Sequence, residues 1–393
     1  MHTKKIIAFL FIGIITLNYN FISCQKKQSQ MEWKYIDFDQ IPEEKNSNHE
    51  YYSLFNQLTK YRFNYILNYN KDIFFLLGND DQRKLNDSTN SVIYATYDFG
   101  DTWHKTTLGK GTVEFGCFSG EKMFVLVQEV EFPRSEWKSA IYSSEDLGKT
   151  WKEELKSEQG NQIMTMMFYS DKVRLLAILH YTPYNDSWVY EYQYTEDGGK
   201  NWKKINFNSD FNPEGYQRGY CIFNSDSTIL YVDKNTQLIE FNLKTEQKKT
   251  LKTWNIPEDM KFSNIIRDPK TNEIILKYAS KKVTEDKSAL YYVEREEYVV
   301  LPDNYFLATY GDLYYGLVFD QPLSTYVWST DRGKTWNKEK LDYVMIYSNW
   351  PKSYYGEGYM YMQASLFRRE DEHLGRGNRF CIAHPILNQK TTK

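Results

Sequence analysis

The chain has 393 residues and a formal net charge of −3, a length that holds a large core and a charge that gives no basic field for nucleic acid. Aromatic residues make up 17% of it, with 34 Tyr and 10 Trp, which favours pleated β surface over helix. No long stretch sets apolar residues at helical spacing.

In chain order, Lys4 and Lys5 precede an apolar run from Ile6 to Leu17 that is too short to span a bilayer comfortably, so residues 1–23 read as a secretory signal. The run ends in Phe21-Ile22-Ser23-Cys24, which resembles a bacterial lipobox. That resemblance makes Cys24 the lipidated first residue of the mature protein; the alternative is an ordinary cleaved signal followed by a chance cysteine. A lipid anchor attaches a protein to the membrane without spanning it. The stretch "QKKQSQ" extends the tether to residue 31. It carries no acidic residue of the kind that marks surface export in some bacterial lipoproteins, so the periplasmic side is expected. Of the other cysteines, Cys117, Cys221 and Cys381, at least one stays unpaired. Each sits in an apolar run and reads as a small buried hydrophobe. No Cys/His spacing fits a metal, and no cofactor is expected.

Next come four copies of one octet: "TYDFGDTW", "SEDLGKTW", "TEDGGKNW" and "STDRGKTW". Their shared positions are Asp98, Gly100 and Trp103; Asp146, Gly148 and Trp151; Asp197, Gly199 and Trp202; Asp331, Gly333 and Trp336. Each follows an alternating run such as "SVIYATY" and precedes a short strand-like run such as "WKKINF". That is strand, tight turn, strand: Asp accepts N–H bonds within the loop and Gly supplies positive φ. Seven apolar runs follow short turns and read as second strands: Ile73–Leu77, Met123–Val127, Val173–Leu179, Thr228–Val232, Glu273–Tyr278, Leu313–Val318 and Tyr359–Ala364. Repeats of this period with four short strands each fit a propeller.

The octet resembles the Asp-box, or BNR repeat, of sialidases, sortilin-type receptors, photosystem assembly factors and several glycosidases. The resemblance implies a turn between the third and fourth strands of a propeller blade, on a rim that carries no chemistry. The expected fold is therefore an all-β β-propeller over residues 32–388, with a tail at 389–393. Seven four-stranded blades are expected, with six as the alternative because the fourth and fifth repeats lack an octet. The N-terminal "EWKYIDF" is the candidate strand to close the ring.

The octet turns and the first-to-second-strand turns then share one face. The long loops open on the other: "GNDDQRKLNDSTN", "EVEFPRSEWK", "HYTPYNDSW", "LFRREDEHLGRG" and the connector "NSDFNPEGYQRG". Loops on a rigid scaffold commonly carry function. The candidate binding face is Arg134, Trp137, Tyr184, Trp188, Tyr216 and Arg218, residue types enriched at binding hot spots, although any single loop residue is more often only solvated. A sialidase resemblance would imply three carboxylate-clamping arginines, a Tyr–Glu nucleophile and an Asp acid/base, the first arginine lying in Arg-Ile-Pro. The chain has no Arg-Ile-Pro, and Arg62 and Arg134 do not match it. Glu131, Glu136 and Asp186 are candidates for a glycosidase pair, whose carboxyl separation loop spacing does not fix. Two classes follow. One is a membrane-anchored, non-enzymatic lipoprotein, expected to be monomeric, whose propeller face binds a protein or glycan in a binding, assembly or immunity role. The other is a cell-envelope glycoside hydrolase. The missing sialidase signature favours the first.

Overall fold

The computed structural model describes residues 31–37, 62–70, 72–80, 89–129, 137–182, 187–207, 221–234, 236–268, 270–281, 288–301, 308–320, 323–340, 343–345, 353–356, 359–364, 366–368 and 379–385, and all regular structure among them is β. The first blade is Arg62–Asn68, Phe74–Asn79, Asn90–Thr96 and His104–Lys110. The second is Thr112–Ser119, Lys122–Glu129, Lys138–Ser144 and Lys152–Lys156. The third is Asn161–Phe168, Arg174–Thr182, Ser187–Thr195 and Lys203–Ile205. The fourth is Cys221–Phe223, Thr228–Asp233, Gln237–Asn242 and Lys248–Thr253. The fifth is Met260–Arg267, Ile274–Ser280, Ser288–Tyr292 and Glu297–Leu301. The sixth is Ala308–Tyr310, Leu313–Asp320, Leu323–Ser329 and Asn337–Lys340. Each is a four-stranded antiparallel meander paired in chain order.

Six blades of consecutive strands thus stand where seven were expected. The remaining four-stranded sheet is composite, in the order Ser353–Gly356, Tyr359–Ala364, Arg379–Pro385, Met31–Asp37. Its last pair joins Met31 to Pro385 and Asp37 to Arg379. Its first strand lies beside the first strands of both the first and the sixth blades. A second departure concerns "LFRREDEHLGRG", read as loop: Leu366–Arg368 is a strand, paired with Tyr343–Met345 in a two-stranded ribbon.

Second strands are apolar throughout because both faces of a blade are covered by neighbours. Phe74–Leu77 and Met123–Leu126 are at most marginally exposed. Fourth strands form the outer edge and carry lysines, such as Lys105, Lys152, Lys203, Lys248 and Lys338, which discourage edge-to-edge pairing.

All four octets close the same hydrogen-bonded turn. The Ser or Thr hydroxyl donates to Asp Oδ1 at 2.7–2.8 Å, from Thr96, Ser144, Thr195 and Ser329. The same hydroxyl accepts the N–H of Gly100, Gly148, Gly199 or Gly333. Asp Oδ1 accepts the backbone N–H of Thr102, Thr150, Asn201 or Thr335, and Oδ2 accepts that residue's side chain. The residue before the shared glycine is also left-handed, at φ 58° for Phe99 and 56° for Leu147. The local hydrogen bonds hold these residues in a region L side chains seldom occupy. Trp103, Trp151 and Trp336 donate Nε1–H to the glycine carbonyl, whereas the buried Nε1 of Trp202 has no hydrogen-bond partner.

In three blades the tryptophan packs into a core shared with the blade before it: Trp151 against the cluster that holds Phe75 and Leu77 of the first blade, Trp202 against that of Phe124 and Leu126 of the second, and Trp336 against that of Leu290 and Leu301 of the fifth. Blades without an octet use aliphatic residues in the corresponding turn. Leu243 of the fourth blade packs into the third, and Val293 of the fifth packs into the fourth.

One stability prediction follows from the octet. Ser144 is 2% exposed, and its hydroxyl serves Asp146 and Gly148 together. Ser144→Ala orphans a buried N–H, at an expected cost of about 1–3 kcal/mol. Ser144→Thr should be far milder, since threonine fills this place at Thr96 and Thr195. Equal denaturation midpoints for Ser144→Ala and wild type would refute the turn's role.

Candidate functional site

The two ends of the propeller differ because of strand polarity. First strands run toward the first-to-second turns and third strands toward the octets, so both turn sets lie on one face. Backbone bonds tie them: Phe99 N–H donates to Asp72 O at 2.8 Å, Gly198 N–H to Lys172 O at 2.9 Å, and Arg332 N–H to Asp312 O at 3.0 Å. The opposite, loop face receives the second-to-third connections and the connectors between blades.

Octet carboxylates are spent on these turns. Hydroxyl and N–H donors from Thr150 and Ser144 hold Asp146 down to about 2. Asp98 and Asp331 are likewise lowered to about 2, against burial, by the donors of Thr102 and Thr335, and Asp197 lies lower still. A folded-state value below the unfolded 3.8 means that the stability these groups add is fully present above that value. It is lost as pH falls through about 2. The melting temperature should therefore drop between those limits, and less steeply in a variant with Asp98, Asp146 and Asp331 changed to Asn. Identical acid profiles would contradict this. The other carboxyls shifted among the described residues also move downward: Glu154 by Ser143 and Lys122 against burial, Glu191 by Gln193 and Lys204, Asp268 by backbone donors against burial, and Glu296 by Lys252.

Of the residues singled out in the sequence, Arg134, Tyr184, Tyr216 and Arg218 lie outside the described residues, as do Glu131, Glu136, Asp186 and Cys24. Trp137 is half-buried, immediately before the third strand of the second blade. Its carbonyl accepts Gly160 N–H at 2.9 Å, and Gly160 O accepts Tyr181 N–H at 3.1 Å. The stretch "HYTPYNDSW" is not all loop as its composition suggests: its ends are strand, with Tyr181 directly opposite Trp188. Trp137, Tyr181 and Trp188 therefore stand on backbone that meets at the loop-side seam of the second and third blades. Val189, 53% exposed, adjoins them.

A polar cluster in the third blade escaped the sequence reading. His180 Nδ1 lies 2.8 Å from Asn161 Oδ1, and His180 Nε2 lies 3.7 Å from Glu191 Oε2. Glu191 also accepts from Gln193 at 2.7 Å and from Lys204 at 2.6 Å. The signal was the placing of two polar residues, Glu191 and Gln193, in one phase of "WVYEYQY", opposite Ile178 and Leu176, which pack with the second blade. A second missed feature is a bulge at one height in the first strands of four blades, at Asn64, Glu114, Met164 and Ser263. Bulges re-aim side chains, and Glu114, Met164 and Ser263 are part-exposed in the loop-side half of their strands. Alternation of side chains does not reveal a bulge.

No protein-family model matches the chain, and no curated protein matches it. Solved structures do. YCF48 bound to D1 peptide aligns over 90% of this chain and 96% of its own, at 13% identity and a TM-score of 0.50. An oligogalacturonate lyase in complex with manganese aligns over 79% and 86%, at 13% identity and 0.51. The oligogalacturonate lyase of Vibrio parahaemolyticus aligns over 80% and 86%, at 13% identity and 0.51. At such identities the likeness establishes the β-propeller fold of four-stranded blades and nothing about ligands.

Proposed function

We propose that the chain is a Cys24-anchored envelope lipoprotein of the Asp-box type whose loop face binds a protein or peptide partner. The observation that carries this reading is the asymmetry of the two faces. The octet face uses its Asp, Ser and Thr groups in its own turns, while the long connections at residues 80–89, 130–136, 208–220 and 369–378 all start and end on strand ends of the loop face. Rigid strands under variable loops make a binding surface. Among similar folds YCF48 was solved with a peptide and a lyase with manganese. The fold therefore does not select the ligand, and the argument rests on this chain's residues. The lack of an Arg-Ile-Pro stretch in the sequence supports binding over sialoside cleavage.

We further propose that the composite sheet completes the ring between the sixth and first blades, with Met31–Asp37 as its closing strand. Two observations support this: the first strand of that sheet lies beside both flanking blades, and Trp103 packs edge-on to Phe74, whose ring is 0% exposed. The packing of the other three tryptophans then sets Trp103 against the sheet that precedes the first blade. The absence of acids in "QKKQSQ" supports the periplasmic side.

Cys24→Ser should release the protein from membranes and abolish acyl labelling; labelling that persists rules out the anchor. Fluorogenic sialosides and aryl glycosides should show no turnover by the wild-type protein. Turnover removed by one carboxylate change would overturn the binding reading.

A further inference from the structure

We infer that the anchor turns the octet face toward the membrane and presents the loop face away from it. The inference rests on the Cys24 anchor and the ring closure proposed above, and it is carried by strand polarity. In the composite sheet Gly356 pairs with Tyr359, so the short first-to-second turn lies at the Tyr359 end of the second strand. Ala364, at the other end of that strand, pairs with Arg379, and Met360 pairs with Ala383. The third strand therefore starts at the loop face and ends, at Pro385, on the octet face. Met31 pairs with Pro385 and Asp37 with Arg379. The chain that follows Cys24 thus enters the propeller at the octet face and runs toward the loop face.

Reach makes this polarity decisive. Only Gln25 to Gln30 separate Cys24 from Met31. Seven Cα steps span at most about 25 Å when fully extended. A blade strand of seven or eight residues, six or seven steps, already uses about 20–24 Å of that reach from one face to the other, which leaves almost nothing to clear the loops beyond it. A tether of this length, leaving the octet face, cannot run back across a blade and still let the loop face lie on the bilayer. The loop-side seam of Trp137, Tyr181 and Trp188 is then displayed to partners in the aqueous space, and the octet turns, with Lys200 and Lys334 exposed on them, are the membrane-proximal surface.

The test uses the full acylated protein on phosphatidylethanolamine/phosphatidylglycerol vesicles that carry a headgroup-bound quencher. A click-attached fluorophore replaces Lys200 or Lys334 on the octet face, or Lys234 on the exposed second-to-third turn of the fourth blade. Quenching should be several-fold stronger at the first two positions than at Lys234. Equal quenching, or stronger quenching at Lys234, overturns the orientation. Cys24→Ser separates this outcome from failure of the anchor. If the serine variant stays on vesicles, the anchor and the orientation built on it both fall; if it is released while the acylated protein is quenched mainly at Lys234, the orientation alone is wrong.

Discussion

Phe124→Ala is expected to destabilise the propeller by about 3–5 kcal/mol. Phe124 is 0% exposed and joins the second blade to the third. Its ring stacks on Phe168 at 4.3 Å between centroids and 27° between planes. The Arg174 guanidinium lies 4.7 Å from the ring centroid, and Lys122 Nζ lies 5.3 Å from it. Arg174 is itself only 7% exposed, and that burial lowers its affinity for its proton. Truncation therefore opens a cavity and also strips a buried cation of the aromatic face that favours it. Phe124→Leu keeps most of the volume and should cost less than half as much. Urea denaturation of the three proteins separates these terms. Similar losses for Leu and Ala would assign the whole cost to the aromatic stack rather than to volume.

Asp268→Ala comes second, at about 2–4 kcal/mol. Asp268 is 2% exposed, in the first turn of the fifth blade. It accepts the N–H groups of Lys270 at 2.9 Å and Thr271 at 2.8 Å within that turn, and the buried N–H of Gly311 across the seam in the sixth blade. Burial pushes its carboxyl up, yet the donors of Thr271, Gly311 and Lys270 hold it below its ordinary 3.8. The stabilisation is therefore fully present above that value and weakens as pH falls below it. Alanine leaves three donors without their acceptor, one of them in another blade. Asp268→Asn keeps an acceptor oxygen and should lose less. A variant Asp268→Ala as stable as wild type would mean that the fifth and sixth blades do not depend on this link.

What was legible in the sequence was whatever repeats. Six predicted second strands fall in second strands of consecutive blades, and the seventh, Tyr359–Ala364, falls in the composite sheet. They could be read because burial on both faces forces unbroken apolar runs such as "FFLL" and "MFVLV". The octet turns were legible because left-handed backbone and a shared acceptor demand particular residue types. The fourth and fifth blades hid their turns. Asn242 caps its turn through the N–H groups of Lys244 and Thr245, and Leu243 does the packing that tryptophan does elsewhere, so the physics recurs without the motif. The composite sheet was only half legible, since its strands lie at opposite ends of the chain and their pairing leaves no local signal. Of the His180–Asn161–Glu191 cluster only the polar pair Glu191 and Gln193 left a local trace; its members come from three strands and meet only through register.

The central claim is that the loop face, and not the octet face, is the surface that meets a partner. Site-specific photocrosslinking in cells that make the protein addresses it most directly, with a benzophenone side chain at Val189 on the loop side or at Lys149 in an octet. The expected result is a discrete adduct from Val189 that disappears when Arg134→Ala and Trp188→Ala are combined in a folded protein, with none from Lys149. An adduct formed from Lys149 while Val189 stays silent would contradict the account.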